Sequence, residues 1–143
     1  MSSLRLPYQE LSPEAYRSLV GVKKALEQSR LGKPLIELVY LRISQINGCA
    51  FCLEMHAKAL RASGEATERL DALAGWRVSG RFSERERAAL AWAESLTHIA
   101  QSNAPDADYR PLEALFEPAE IADLSVAIAL MNAFNRLAVG LRQ

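Results

Sequence analysis

The sequence predicts an all-α fold. Three observations carry that prediction: helix-forming residues dominate throughout, apolar residues recur with a period near 3.6, and no run of alternating β-branched residues suggests a sheet. At 143 residues the chain fits one domain, 1–143, long enough to bury a sizeable core without disulfide or metal staples. Start and stop signals predict about seven helices.

Ser12-Pro13 supplies an N-cap followed by proline at the first helical position, which predicts an amphipathic helix to about Gln28. Gly32 and Pro34 mark a break and a restart. From Pro34 to Ile46, Leu35, Ile36, Leu38, Val39, Tyr40, Leu41, Ile43 and Ile46 are apolar almost all round, the pattern of a helix enclosed by protein. Asn47-Gly48 ends it. A third helix is expected to begin between Cys49 and Phe51 and to stop at Ser63-Gly64, where Gly64 suits the left-handed position past a helix end. Thr67 is expected to cap a short helix ending near Gly75. Ser83-Glu84-Arg85-Glu86 has the form of a capping box and opens a helix through Trp92 to about His98. Asn103, Pro105 and Asp106 form a loop, a short helix covers about Tyr109 to Phe116, and Glu117-Pro118 starts the last and longest.

Charge and hydropathy exclude several classes of function. Seventeen basic side chains balance seventeen acidic ones, so the chain lacks the electrostatic footprint of a nucleic-acid partner. Met1-Ser-Ser-Leu-Arg-Leu-Pro-Tyr8 has no apolar core and no small-residue cleavage site, so a secretory signal is not expected and a cytoplasmic location is. The most apolar stretch, Ile121 to Val139, is interrupted by Asp123, Ser125, Asn132, Asn135 and Arg136 and reads as a buried helix, with no membrane partner expected.

Both cysteines lie in one motif, Cys49-Ala-Phe-Cys52, which in a reducing compartment argues for redox or metal chemistry over a structural staple. On a helix they sit at i and i+3, with His56 four residues beyond Cys52, so all three project from one face. Met55, Ala59, Leu60 and Ser63 join that face, while Glu54, Lys58 and Arg61 lie opposite, which predicts inward-facing thiols. A thiol must become thiolate to attack a peroxide oxygen or a disulfide sulfur, and unpaired N–H groups of a first helical turn favour that anion. His56 can take the thiol proton. Glu37, the one carboxylate of the apolar second helix, shares a stripe with Tyr40, Leu41 and Ser44 and is the candidate second acceptor. A buried lone carboxylate is costly without a partner, and His56 is the partner expected.

Plainer readings stand beside these. Two buried cysteines can act as small hydrophobes, and Glu37 can simply neutralise an arginine such as Arg42. Cys49, Cys52, His56 and Glu37 are ligand types that bind zinc, but a helical i, i+3, i+4 set lacks the usual second ligand pair, and no metal is assigned. Asn132, Asn135 and Arg136, with Ser125 on the same stripe, are expected to serve structural hydrogen bonding. Tyr40 can bond Glu37 or pack by its ring; Trp76 and Trp92 are expected in the core or at an interface.

Glu37, eleven intervening residues, Cys49-x-x-Cys52, three residues and His56 resemble the signature of alkylhydroperoxidase D-like proteins, within the carboxymuconolactone decarboxylase superfamily. Asn47-Gly48-Cys49-Ala50-Phe51-Cys52 with His56 is similar to that family's core, and weaker similarity extends through Trp76, Arg87-Ala88-Ala89-Leu90 and Asn132 to Arg136. The resemblance implies a helical, homo-oligomeric protein, trimeric or hexameric. It implies peroxidase chemistry in which Cys52 attacks a hydroperoxide, Cys49 resolves the sulfenic acid as a disulfide, and His56 and Glu37 relay protons. The family's best-studied peroxidases carry a histidine where this sequence has Phe51. With no nucleotide-binding glycine motif, no cofactor is expected, and an external thiol or lipoyl-type reductant protein is required. The expected function is thus an antioxidant thiol peroxidase. The alternatives are a general disulfide oxidoreductase or redox sensor, decarboxylase-type chemistry, and a non-catalytic module with or without zinc.

Overall fold

The structure, a computed structural model, describes residues 3–143; Met1 and Ser2, at the head of the stretch read for a leader, lie outside it. Among the described residues every regular element is helical. The order is α1 (Tyr8–Leu11), α2 (Pro13–Leu26), α3 (Lys33–Asn47), α4 (Ala50–Ala62), α5 (Thr67–Ala72), a 3-10 helix (Leu73–Val78), α6 (Glu84–Thr97), α7 (Ile99–Ser102), α8 (Asp106–Leu115) and α9 (Pro118–Leu141).

The seven predicted helices are α2, α3, α4, α5, α6, α8 and α9. The additions, α1 and α7, are four residues each, too short for an apolar period to register. Three boundaries differ from expectation. Ala66, with no side-chain bond, precedes α5, so Thr67 is its first residue and not its cap. The segment read as running to Gly75 ends at Ala72 and tightens into the 3-10 helix, with Gly75 off helical geometry. Helix α8 starts at Asp106, where Asp106 and Asp108 place negative charge in its first turn.

Helix α3 is the centre of the fold and packs against α4, α6 and α9. One side of it, Leu35, Ile36, Val39, Tyr40 and Ile43, joins Ala89, Trp92 and Ala93 of α6 and Leu124, Ile128 and Met131 of α9 in the main core. The other side, Leu38 and Leu41, meets Leu60, Leu70, Leu73, Trp76 and Leu90 in a second core. Burial explains why β-branched Ile36, Val39 and Ile43 are helical here. Each buried aliphatic side chain contributes about 1.5–3 kcal/mol, against propensity costs below about 0.7 kcal/mol per residue.

Helix α9 is long and apolar enough, by length and composition, to cross a bilayer. Its polar interruptions are paired inside the chain, as the sequence predicts for a buried helix. Ser29 Oγ donates to Asp123 at 2.6 Å, Trp92 Nε1 to Ser125 at 3.0 Å, and Asn47 Nδ2 to Asn132 at 3.0 Å. The capping box of α6 is also present: Glu86 N donates to Ser83 Oγ at 3.1 Å, and Ser83 N to Glu86 Oε1 at 2.8 Å.

Candidate functional site

The turn from α3 to α4 is built by main-chain hydrogen bonds. Gly48 takes a left-handed conformation, φ 66° and ψ 38°, which glycine adopts without a Cβ penalty. Its N–H then bonds Gln45 O at 3.3 Å, and the Cys49 N–H bonds Ser44 O at 3.1 Å, the paired closure of a Schellman motif. So short a turn lays α4 back along α3. Side chains pin the same corner to α9: Asn47 Nδ2 reaches Asn135 Oδ1 at 3.0 Å as well as Asn132, and Asn135 Nδ2 donates to Ser44 Oγ at 3.1 Å. The Asn132 and Asn135 stripe is therefore a structural clamp. Arg136 joins it through Asn132.

Cys49 is the N-cap of α4, in extended conformation, rather than part of its first turn; Cys52 is the third helical residue. The chain joins their sulfurs in a disulfide, with Cα atoms 5.2 Å apart. The Cys52 N–H, one of the amides a helix start leaves free, points at Cys49 Sγ at 3.3 Å. The amide donor thus serves the first cysteine. Both are buried, packed with Ala138 and Val139 of α9.

His56 is also buried, and its Nδ1 lies 2.7 Å from Glu37 Oε2. A carboxylate only accepts, so Nδ1 carries the hydrogen of this contact. Nε2 is buried and bonds nothing among the described residues. The structure therefore joins the predicted residues in two pairs, sulfur to sulfur and imidazole to carboxylate. It makes no hydrogen bond between ring and sulfur; a disulfide has no proton to offer one. Arg42, the rival partner for Glu37, turns away to Glu94, its Nε 3.0 Å from Oε1. Tyr40 packs its ring on His56, centroids 5.2 Å apart, while its buried hydroxyl bonds no described residue. Burial, with the charges of Glu37 and Glu27, raises the Tyr40 phenol above its ordinary range, so it stays protonated.

A cavity of about 350 Å³ opens beside Cys52. Its apolar wall includes Phe51, Met55, Met131 and Phe134; Lys23 and Tyr8 supply polar edges. Met55, expected to face inward, is exposed at this cavity, because α4 borders open space here and not core. The sequence reading missed this lining. Its residues come from α1, α2, α4 and α9, and no local pattern relates them. Asn47 was legible only as a helix stop. Among the described residues, no group of three or more His, Cys, Asp or Glu is gathered to hold a metal ion.

Comparison with known proteins extends these observations. The model of the carboxymuconolactone decarboxylase family matches residues 13–95. The chain is 32% identical over 139 residues to the uncharacterized protein YdfG of Bacillus subtilis, covering 97% of this chain and 95% of that one. A solved protein of unknown function from Agrobacterium tumefaciens, ATU0492, whose name ties it to AhpD and antioxidant defence, superposes with a TM-score of 0.94. It is 39% identical, over 99% of this chain and 97% of that one. An uncharacterized peroxidase-related protein from Silicibacter sp. TM1040 has a TM-score of 0.81 at 25% identity, over 91% of this chain and 69% of that one.

Proposed function

The chain belongs to the carboxymuconolactone decarboxylase family, among its AhpD-like members, and on that premise we propose that it is a thiol peroxidase that reduces organic hydroperoxides. The observation that carries the reading is the Cys49–Cys52 disulfide with Cys52 in the wall of an apolar cavity. The antioxidant-defence name of one structural neighbour and the peroxidase-related name of another favour it over the same dithiol acting on disulfides at large.

In the reduced protein, His56 Nε2 takes the Cys52 proton, with Glu37 holding Nδ1–H and stabilising the imidazolium. The Cys52 thiolate attacks the terminal oxygen of the hydroperoxide, forming S–O and breaking O–O. The leaving alkoxide takes the proton and departs as alcohol, and Cys52 is left as sulfenic acid. Cys49, whose sulfur faces the Cys52 amide, is the better placed to act as a thiolate in the next step. It attacks the Cys52 sulfur, expels hydroxide that is protonated to water, and closes the disulfide. Two electrons have passed from the thiol pair to the peroxide. An external thiol, small or lipoyl-bearing, returns them by thiol–disulfide exchange. We further propose a cytoplasmic homo-oligomer, trimer or hexamer, which light scattering on purified protein tests.

Stopped-flow oxidation of the reduced protein by cumene hydroperoxide is the test. Oxidation at least tenfold faster than free cysteine at the same pH, lost in Cys52→Ser, is the expected result. A rate equal to that of free cysteine sinks the reading.

A further inference from the structure

Lys23 of α2 and Cys52 of α4 line the same cavity, and Lys23 forms no ion pair with any described residue. The other side chains that line the cavity are neutral: those of Tyr8, Gln9, Tyr16 and Gln143 are polar and the rest apolar, and the backbone carboxylate of Gln143, the last residue, makes no ion pair with Lys23. On its far side Lys23 borders a small separate hollow with Glu27 and Glu37, neither of which pairs with it. The cavity thus offers one half-buried lysine that forms no ion pair among the described residues, beside an extended apolar wall. Its volume of about 350 Å³ far exceeds what hydrogen peroxide needs, a molecule on the scale of one or two waters at about 30 Å³ each. It falls within the range of sites for larger organic ligands, where an apolar lining supplies area and a few polar groups fix orientation.

We propose that the cavity binds a carboxylate-bearing apolar molecule, and that the hydroperoxide reduced at Cys52 is of fatty-acid type, with Lys23 as its specificity residue. The class of substrate rests on the peroxidase reading; the carboxylate site does not. The carboxylate pairs with the Lys23 ammonium, the hydrocarbon body lies against Phe51, Met131 and Phe134, and the peroxide group meets Cys52. The chemistry is unchanged: the hydroperoxide becomes the hydroxy acid, and the carboxylate neither gains nor loses electrons.

Two measurements test this independently. Oxidation of reduced protein is followed with linoleic acid hydroperoxide and with its methyl ester. Binding of the corresponding hydroxy acid and its methyl ester to the disulfide form is followed by calorimetry. The acid is expected to exceed the ester by about fivefold in both, the value of one partly solvated charge pair of about 1 kcal/mol. Lys23→Met removes that preference, Lys23→Arg keeps it, and Lys24→Met, off the cavity wall, leaves it intact. Equal handling of acid and ester by the unmodified protein overturns the carboxylate site, as does a preference that survives Lys23→Met. Reduced protein inert to every hydroperoxide, yet binding the hydroxy acid through Lys23, overturns the peroxidase reading and supports the site.

Discussion

Glu37 reaches from α3 to hold Nδ1 of His56 on α4 at 2.7 Å, and the other ring nitrogen is left buried with no partner among the described residues. Glu37→Gln keeps the shape of the contact but no longer stabilises an imidazolium. Cysteine alkylation against pH should show a downward-shifted thiol titration in the reduced wild type that relaxes in Glu37→Gln and in His56→Ala. The expected loss of rate at neutral pH is about 10²-fold, the lower end of general-base contributions. An ordinary thiol titration in all three proteins removes the relay.

The two cysteines should fail differently. Cys52→Ser is expected to leave no peroxide-dependent oxidation. Cys49→Ser should consume one equivalent of hydroperoxide and stop as a sulfenic acid that dimedone traps, visible by mass spectrometry. Dimedone labelling on Cys49 in Cys52→Ser would reverse the assignment.

The polar clamp at the α3–α4 corner should matter for stability. Asn135 is wholly buried and bonded to both Asn47 and Ser44. Asn135→Ala takes the donor from buried Ser44 Oγ while Asn47 keeps its bond to Asn132, an expected cost of roughly 1–3 kcal/mol for the one orphaned group, less any relaxation. Urea unfolding measures it.

Tyr40→Phe should be nearly neutral. The hydroxyl that it removes has no partner among the described residues, while the ring packing on His56 is kept. Thermal unfolding within about 1 kcal/mol of wild type is expected, with peroxide reactivity retained. A large loss of reactivity would give the hydroxyl a part in the chemistry.

Glu94 gathers N–H donors from Trp76, Arg77 and Arg42. Burial alone would raise its carboxyl, but these donors together hold it below its ordinary value. A depressed folded-state pKa contributes stability that is fully present above the unfolded value of about 4.3 and is lost as pH falls through the folded one. Glu94→Gln should therefore be destabilised at pH 7, and its deficit should shrink in acid. Denaturant midpoints at both pH values check this; a deficit independent of pH removes the ionic explanation.

Much of the architecture was legible because its signals are local. The apolar circumference of Leu35 to Ile46 marked the central helix, Ser83 with Glu86 marked a helix start, and Asn47-Gly48 marked the turn before the cysteines. The pairing of Glu37 with His56 was legible because burial of a lone acid demands a partner and the facing helix carries one. What stayed hidden was relational. Lys23, Tyr16 and Phe134 become neighbours of Cys52 only when α2 and α9 pack, and nothing in their own surroundings announces it. The choice of Glu94 by Arg42 depends likewise on where α6 crosses α3.

The corner that carries Cys49 is secured by main-chain bonds to Ser44 and Gln45 and by the asparagine clamp, none of which involves the sulfurs. On the proposed function, opening and closing the disulfide would break none of these bonds, which suits fast turnover. A messenger of oxidative stress needs two shapes for another molecule to tell apart, and on the proposed function this bracing would favour a catalyst over such a messenger.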